Sequence, residues 1–267
     1  MDGGGTPAGA PPGIAVLLAQ RSPVPGDGAR NAADAVELLA AYPDVDLAVF
    51  PELFLCGYDV ARVHRYGLGP DAEPLGVLCR ACAASGTALV AGFAEREQPG
   101  GPLYNAMLCV DRDGSVAGVY RKTHLYGAER TAFAAGDRLA CVTLAGVRVA
   151  PMICFDLEFP EVARTLARDR PDLLVAIAAN MDPYADDHEL AARSRALENR
   201  TPLIYVNRAG AEADLTFTGG SLATDANGKP LTRLGRQPAT TVVSVPPRTS
   251  APPDLDYHAQ LRPGLYT

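Results

Sequence analysis

VRVAPMICFDLEFPE, residues 147–161, places a cysteine between a predicted strand and a predicted helix. The run Val147–Ile153 is apolar and typical of a strand, and Pro151, which cannot donate to a ladder, marks the strand's end or an edge. Pro160 suits the first turn of a helix. Cys154 therefore lies on a sharp turn, where backbone N–H groups can point at whatever the side chain attacks. The turn is compatible with either a nucleophilic thiol or a small buried side chain.

The composition limits the class of protein. The chain has 267 residues, of which 48% are hydrophobic, enough for one large domain or two small ones. A net charge of −7 with interspersed acids and bases predicts no nucleic-acid partner, and no apolar run is long enough to span a bilayer. Six cysteines, mostly in apolar segments, indicate a reduced, cytoplasmic protein. Cys79 and Cys82 form a CxxC motif without a second pair or a histidine, so we expect no metal there.

Three segments divide the chain. Residues 1–12 are rich in Gly, Ala and Pro and are expected to form a disordered tail. Residues 13–245 hold all the periodic apolar segments and are predicted to form one domain. Residues 246–267 are Pro-rich and are expected to be an extended tail, a candidate for the interface of a dimer.

Within this domain, strands alternate with helices at first and pair as hairpins later. Turn dipeptides at residues 113–114 and 145–146 predict two hairpins. Toward the end, Phe217–Thr224 and Leu231–Val245 are predicted as strands that return across an Asn-Gly turn. The mixture predicts an α/β layered domain with mixed sheets.

Three reactive residues follow predicted strands at comparable places. Glu52 follows LAVF, Lys122 follows SVAGVY and Cys154 follows VRVAPMI. Because groups at strand ends converge on one crevice of an open α/β sheet, a carboxylate, an amine and a thiol could meet there. Of 24 basic residues only Lys122 and Lys229 are lysine, and Lys122 stands beside Arg121. A lysine kept at that point indicates chemistry that needs a compact, titratable amine.

The segments FPELFLCGYD, YRKTHLYGAER and PMICFDLEFPEVAR resemble the three signature blocks of the nitrilase superfamily, the carbon–nitrogen hydrolases. The resemblance covers about residues 13–245, in the family's order and spacing. It implies a four-layer α-β-β-α sandwich with two mixed β-sheets, and a homodimer or larger homo-oligomer without cofactor or metal. It also implies Glu52 as general base, Lys122 as transition-state stabiliser and Cys154 as nucleophile.

The same resemblance implies supporting roles for four further residues. Glu129 would orient the lysine and the substrate amide, although a surface salt bridge with Arg130 is the alternative. The backbone N–H of Phe155 would complete the oxyanion hole with the lysine. Asn180 and Tyr58 would line the substrate pocket.

The sequence after the nucleophile, Cys154-Phe155-Asp156, is similar to the amidase branches, among them 5-aminopentanamidases and 4-guanidinobutanamide amidases. The implied reaction converts a small amide and water into a carboxylic acid and ammonia. Glu158 stands where relatives that bind N-carbamoyl amino acids carry an arginine, so an acid there indicates a cationic far end. An ion pair between Glu158 and Arg164 is the alternative.

Other functions remain open from the sequence. An N-carbamoyl amidohydrolase and a thioester-forming acyltransferase belong to the same superfamily. A catalytically silent member or an ammonia-channelling domain is disfavoured by the complete triad and the lack of an appended synthetase domain. His124 could pair with the thiol in a protease-like mechanism, but its position two residues past Lys122 on a strand points it away. The other histidines, His64, His188 and His258, are expected to be solvated.

Overall fold

Two six-stranded β-sheets form the middle of the molecule in a computed structural model that describes residues 13–248 and 252–265. The strands are β1 (Ile14–Gln20), β2 (Leu47–Val49), β3 (Ala88–Glu95), β4 (Tyr104–Val110), β5 (Val116–Arg121), β6 (Val142–Leu144), β7 (Val147–Ile153), β8 (Leu173–Ala178), β9 (Leu203–Asn207), β10 (Ala209–Glu212), β11 (Leu215–Thr218), β12 (Leu222–Thr224), β13 (Pro230–Arg233) and β14 (Ala239–Val245). The helices are α1 (Gly28–Ala41), α2 (Glu73–Ser85), α3 (Glu129–Ala132), α4 (Pro160–Ala167) and α5 (Ala185–Asn199).

Both sheets are mixed, as the sequence predicted. The first has the order β14-β1-β2-β3-β4-β5, and the second has the order β13-β12-β9-β8-β7-β6. Strands β1, β2 and β3 run parallel, as do β7, β8 and β9, while the remaining pairs are antiparallel. A small β10–β11 hairpin, which the sequence reading missed, stands apart from both sheets.

Alternate side chains of the central strands pack on opposite faces of each sheet, so the molecule has four layers. In β1, Val16 and Leu18 join the core between the two sheets, whereas Leu17 and Ala19 join the core that contains side chains of α1 and α2. This is the two-residue period of a strand buried on both faces. Helices α4 and α5 cover the outer face of the second sheet. The four-layer α-β-β-α sandwich is therefore confirmed.

Local sequence accounts for the ends of the first two helices. Asp27 caps α1, because its side chain accepts a hydrogen bond from the Arg30 N–H at 2.9 Å. Helix α2 has Pro74 in its first turn and ends at Gly86, whose φ of 69° is the left-handed conformation typical of a C-cap.

The two predicted hairpins are present, and one proline is explained. Strands β4–β5 and β6–β7 pair antiparallel across the predicted turns. Pro151 lies inside β7 and pairs with Val175 of β8, but β6 reaches only to Val149. Pro151 therefore marks an edge rather than the strand's end, because no strand lies beside it on its other side in the described structure.

The two long strands predicted near the end of the domain are each broken. Phe217–Thr224 is interrupted at Gly219 and Gly220, whose φ angles are 58° and 69°, so β11 and β12 lie in different sheets. These positive φ angles suit glycine but not a continuing strand. Leu231–Val245 is likewise divided into β13, which pairs with β12 across the predicted Asn-Gly turn, and β14, which pairs with β1.

The predicted tails are only partly described. The N-terminal tail at residues 1–12 lies outside the described residues, as do 249–251 and 266–267 of the C-terminal tail. The described remainder contains two short 3-10 helices, Pro253–Leu255 and Pro263–Leu265. No helix in residues 13–248 or 252–265 is long and apolar enough to cross a membrane.

Candidate active site

The site occupies one end of the space between the two sheets, where three strands of the domain end. Glu52 follows β2 by three residues, Lys122 follows β5 directly and Cys154 follows β7 directly. The first two side chains have no exposed surface, and Cys154 is 8% exposed. The structure thus brings together the three residues that the sequence placed at strand ends.

Lys122 forms a buried ion-pair cluster with two carboxylates. Its Nζ lies 2.7 Å from Glu52 Oε1, and 2.9 Å and 2.8 Å from the two carboxylate oxygens of Glu129. Burial by itself lowers the pKa of Lys122, but the charges of Glu52 and Glu129 outweigh burial and hold the pKa well above its usual value. The two carboxylates therefore favour the ammonium form of this side chain.

Glu52 is held by donors on each of its oxygens. Oε1 accepts from Lys122 and, at 2.7 Å, from the side-chain amide of Asn105, while Oε2 accepts from the Ala179 N–H at 2.7 Å. Burial raises the pKa of the Glu52 carboxyl, and Lys122 opposes that rise. A carboxylate with raised basicity that faces a thiol is suited to take the thiol's proton.

Glu129, the first residue of α3, is fully buried rather than on the surface. Besides Lys122 it accepts from the Tyr58 hydroxyl at 2.8 Å and from the Tyr126 N–H at 2.9 Å. Arg130 instead donates to the carbonyl of Leu125 at 3.2 Å. The geometry of Glu129 therefore matches a residue that orients the ammonium, not a surface salt bridge with Arg130.

Cys154 has a backbone conformation that is rare for a residue with a side chain. Its φ is 47°, and it starts the 3-10 turn Cys154–Glu158 that leads into α4. Strained positions of this kind concentrate at functional sites. Burial raises the pKa of the thiol well above its usual value, the charge of Glu52 adds to the rise, and Lys122 opposes it. The resting side chain is a neutral thiol that needs a base before it can attack.

Asp156 joins the turn at Cys154 to the chain that follows Lys122. Its buried carboxylate accepts from the Tyr120 hydroxyl at 2.8 Å and from the Thr123 hydroxyl at 2.7 Å. It also accepts from the backbone of Ile153 at 3.1 Å and from that of His124 at 2.9 Å. This carboxylate holds the lysine and cysteine segments, which come from different sheets, in a common frame.

His124 lies in a bend after the end of β5 and not on a strand as expected, and its side chain is directed at Asp156. Its Nδ1 lies 3.1 Å from the Asp156 carboxylate, and its ring stacks on Phe159 with 3.9 Å between ring centroids. His124 does not line the cavity next to Cys154. This geometry favours the carboxylate Glu52 over His124 as the base for the thiol.

A cavity of about 160 Å³ opens beside the Cys154 thiol. All four residues that the sequence assigned to substrate or oxyanion contacts around the thiol line this cavity: Tyr58, Phe155, Glu158 and Asn180. Further lining residues, which sequence reasoning did not identify, are Tyr126, Ala179, Met181, Tyr184, Asp187 and His188.

Glu158 and His188 form a pair at the cavity wall. The His188 Nε2 lies 3.1 Å from Glu158 Oε1, and its Nδ1 lies 3.0 Å from the Tyr205 hydroxyl. His188 is 2% exposed, so the expectation of a solvated histidine is wrong; it lies near the start of α5 and is covered by the second sheet. Arg164 contacts His258 at 3.2 Å, and the alternative ion pair of Glu158 with Arg164 does not occur in the described structure.

Asn105 and the backbone of Ala179 are site groups that sequence reasoning missed. Asn105 is the second residue of the mainly apolar strand β4, and its carbonyl accepts from the Lys122 N–H at 2.8 Å. The register of the β4–β5 hairpin could have predicted it, because that register puts Asn105 opposite Lys122. No sequence signal predicts the donor from Ala179, which lies 127 positions from Glu52. Among the described residues, no cluster of three or more His, Cys, Asp or Glu side chains could hold a metal ion.

The chain is similar to known proteins over most of its length. The carbon-nitrogen hydrolase family model matches residues 15–250. The chain is 39% identical over 237 residues to an (R)-stereoselective amidase from Pseudomonas sp, covering 86% of this chain and 84% of that protein. It is 35% identical to a nitrilase from Pyrococcus abyssi, covering 78% and 80%.

A solved structure shares the fold and bears a label on a cysteine. It is a mutant of the amidase from Nesterenkonia sp. AN1 with the acetamide moiety of fluoroacetamide covalently added at the active-site cysteine. It matches with a TM-score of 0.84 and 26% identity, covering 97% of this chain and 98% of that one.

Proposed function

Because this chain belongs to the carbon–nitrogen hydrolase family, we propose that it is an amidase that hydrolyses the terminal carboxamide of a small aliphatic amide through a thioester on Cys154. One observation carries the proposal: a buried ammonium, paired with two carboxylates, lies beside a neutral thiol at the mouth of a small cavity.

In the first half of the reaction, Glu52 removes the proton of the Cys154 thiol, and the sulfur attacks the amide carbonyl carbon. The oxyanion that forms is stabilised by the Lys122 ammonium and by the backbone N–H of Phe155. Glu52 then gives its proton to the amide nitrogen, the C–N bond breaks, and ammonia leaves. The raised pKa of Glu52 suits this proton transfer in both directions.

In the second half, a water molecule hydrolyses the thioester. Glu52 takes a proton from the water as its oxygen attacks the thioester carbonyl, and the same oxyanion contacts are used again. The C–S bond breaks, the carboxylic acid leaves, and the thiol regains its proton from Glu52. Glu129 holds the ammonium in place throughout, since both of its oxygens contact Lys122.

The cavity supports a short substrate with a cationic far end, an ω-amino or ω-guanidino amide. Its volume of about 160 Å³ is close to that of an engineered cavity of about 150 Å³ that binds benzene. Glu158 and Asp187 supply negative charge, and aromatic rings of Tyr126 and Tyr184 stand beside them. Carboxylates and aromatic faces are the groups that recognise ammonium and guanidinium ions.

Two other reactions of the superfamily have less support. Glu158 stands where a carboxylate-binding arginine would be expected in an N-carbamoyl amino acid amidohydrolase. An acyltransferase would pass the acyl group of the thioester to an amine, so added hydroxylamine would compete with water. Hydroxamate formation that greatly exceeds acid formation at low hydroxylamine would favour the transferase.

A homodimer is supported by the outer face of the second sheet's helices. Leu190 and Leu197 of α5 are 67% and 42% exposed and lie seven residues apart, on one side of the helix. The C-terminal segment runs over the same layer, where the Tyr257 hydroxyl accepts from Arg200 at 2.8 Å. We therefore propose that this face and residues 246–267 contribute to the dimer interface, which a Leu190→Asp variant should weaken in light-scattering measurements.

All six cysteines are free, which supports a reducing cytoplasmic location.

Covalent labelling tests the central proposal. Fluoroacetamide should modify Cys154, with the loss of amidase activity in proportion to the label, and peptide mapping should place the label there. Cys154→Ala and Cys154→Ser should take up no label at neutral pH and should lose ammonia release, while their circular dichroism stays native. A label on a different cysteine that accompanies the loss of activity would overturn the assignment.

Ammonia release from 5-aminopentanamide, 4-guanidinobutanamide and hexanamide tests whether the far end of the substrate is cationic. A preference for hexanamide would reject the cationic-substrate proposal.

A further inference from the structure

His188 is a buried side chain of the cavity wall with no part in the hydrolysis described above. Both of its ring nitrogens are engaged, one by the Tyr205 hydroxyl at 3.0 Å and the other by Glu158 at 3.1 Å. The side chain of Glu158 is 39% exposed, whereas that of His188 is 2% exposed. The histidine therefore links Tyr205, a buried residue of β9 in the second sheet, to the partly exposed side chain of Glu158 at the cavity.

The chemistry of the two neighbours indicates the direction of these hydrogen bonds. Burial raises the pKa of Tyr205 well above its usual value, so the phenol keeps its proton and can donate to Nδ1. A neutral imidazole has one donor and one acceptor nitrogen. With Nδ1 as acceptor, Nε2 carries the proton and donates it to the Glu158 carboxylate, which can only accept.

In this tautomer, the imidazole N–H has a different effect on Glu158 than a cationic partner would have. It restricts a long side chain that would otherwise lose rotamer freedom only when substrate binds. It leaves the negative charge of the carboxylate uncompensated, which an arginine or lysine partner would not. The neighbouring acid on the wall, Asp187, adds charge of the same sign.

We propose that His188 is a positioning residue that sets substrate specificity. It holds Glu158 against the cavity wall with its charge intact, ready to receive the ammonium or guanidinium group of the substrate. This inference rests on the proposed function, because it requires that the substrate's far end is cationic and is bound by Glu158.

The test compares His188→Leu, His188→Gln, Glu158→Gln and the double variant His188→Leu/Glu158→Gln in the full-length enzyme. Glutamine offers an N–H near the place of the imidazole Nε2–H, whereas leucine fills space without a donor. Each variant is assayed on 5-aminopentanamide and hexanamide, and the readout is the ratio of their kcat/KM values. Melting temperatures and circular dichroism identify a variant that has lost its fold.

We expect His188→Leu to lower the cationic-to-neutral ratio on the order of tenfold, the size expected for one hydrogen bond to a charged group. The loss should lie mainly in KM for the cationic amide, since the contact lies away from the reacting carbonyl. His188→Gln should recover most of the ratio. The double variant should lose little beyond Glu158→Gln, because both changes remove the same interaction.

Three results would overturn the inference, and each has a separate meaning. If Glu158→Gln abolishes the preference but His188→Leu retains it, the positioning role is wrong and the proposed function stands. If His188→Leu and His188→Gln lower kcat/KM equally for both substrates, the histidine serves only to maintain structure. If the wild type shows no preference for the cationic amide, the inference and the cationic-substrate proposal fail together, while amide hydrolysis by Cys154 stands.

Discussion

The Nζ atom of Lys122 lies 2.7 Å from Glu52 Oε1, a contact between residues 70 positions apart that joins the ends of two strands in one sheet. Neither side chain has any surface exposed to solvent. Each charge therefore depends on the other, because removing one partner of a buried ion pair leaves an uncompensated charge at a cost of about 3–5 kcal/mol. The same pairing keeps an ammonium beside the thiol, where an oxyanion would form.

We expect Lys122→Arg to lower kcat/KM nearly as much as Lys122→Ala, by about 10²-fold or more, which is the usual cost of losing one oxyanion donor. The guanidinium keeps the charge but is too large and planar for the space between Glu52 and Glu129. Steady-state ammonia release measures this loss. Lys229→Arg is the matched control, because Lys229 is exposed in a turn, and it should retain wild-type activity. Wild-type turnover by Lys122→Arg would contradict the assignment of Lys122.

We expect Asn105→Leu to move the acidic limb of the kcat/KM profile to higher pH. Glu52 must be ionised to act as a base, and burial raises its pKa, so activity is lost as pH falls through that raised value. The hydrogen bond from Asn105 lowers the pKa of Glu52, so removing this donor raises the pKa further. The measurement is kcat/KM against pH for both proteins. An acidic limb that is unchanged, or moved to lower pH, would show that Glu52 is not the group that titrates.

We expect Glu158→Gln to lower kcat/KM for 5-aminopentanamide and 4-guanidinobutanamide about tenfold to a hundredfold, because a hydrogen-bonded charge contributes roughly 1.5–3 kcal/mol. Hexanamide, which makes no such contact, should lose little. Glu161→Gln, at an exposed position three residues further on, is the matched control and should behave as the wild type. Equal losses on all three amides would mean that Glu158 only supports His188 and the wall of the cavity.

We expect Tyr120→Phe to lower the free energy of unfolding by about 1.5–3 kcal/mol, the contribution of one hydrogen bond to a charged group. The change removes the 2.8 Å hydrogen bond to Asp156, so kcat should fall more than KM rises as Lys122 and Cys154 lose their common frame. Urea titration and steady-state kinetics measure the two effects. Tyr104→Phe is the control, because the ring that stacks 4.0 Å from Arg121 is retained. A Tyr120→Phe enzyme with normal kcat would limit Asp156 to a role in stability.

The sequence by itself determined the layered α/β fold and the three strand ends at which Glu52, Lys122 and Cys154 stand. These features follow from local physics: apolar runs form strands, turn dipeptides form hairpins, and proline and glycine end elements. The block resemblance added Glu129, which the structure buries against the ammonium. The two long strands predicted near residue 220 and near residue 235 were wrong, because local propensity does not specify which sheet a strand joins.

Only the tertiary structure decided which side chains meet across those elements. The Ala179 N–H reaches Glu52 over 127 positions, and His188 rather than Arg164 reaches Glu158. Both contacts depend on how helices and strands from distant parts of the chain pack together. Burial is likewise a property of the packed molecule, and burial is what makes Lys122 depend on its carboxylates and keeps the Cys154 thiol neutral. The identities of the groups proposed to react are therefore local information, whereas their protonation states and partners depend on how the two sheets pack together.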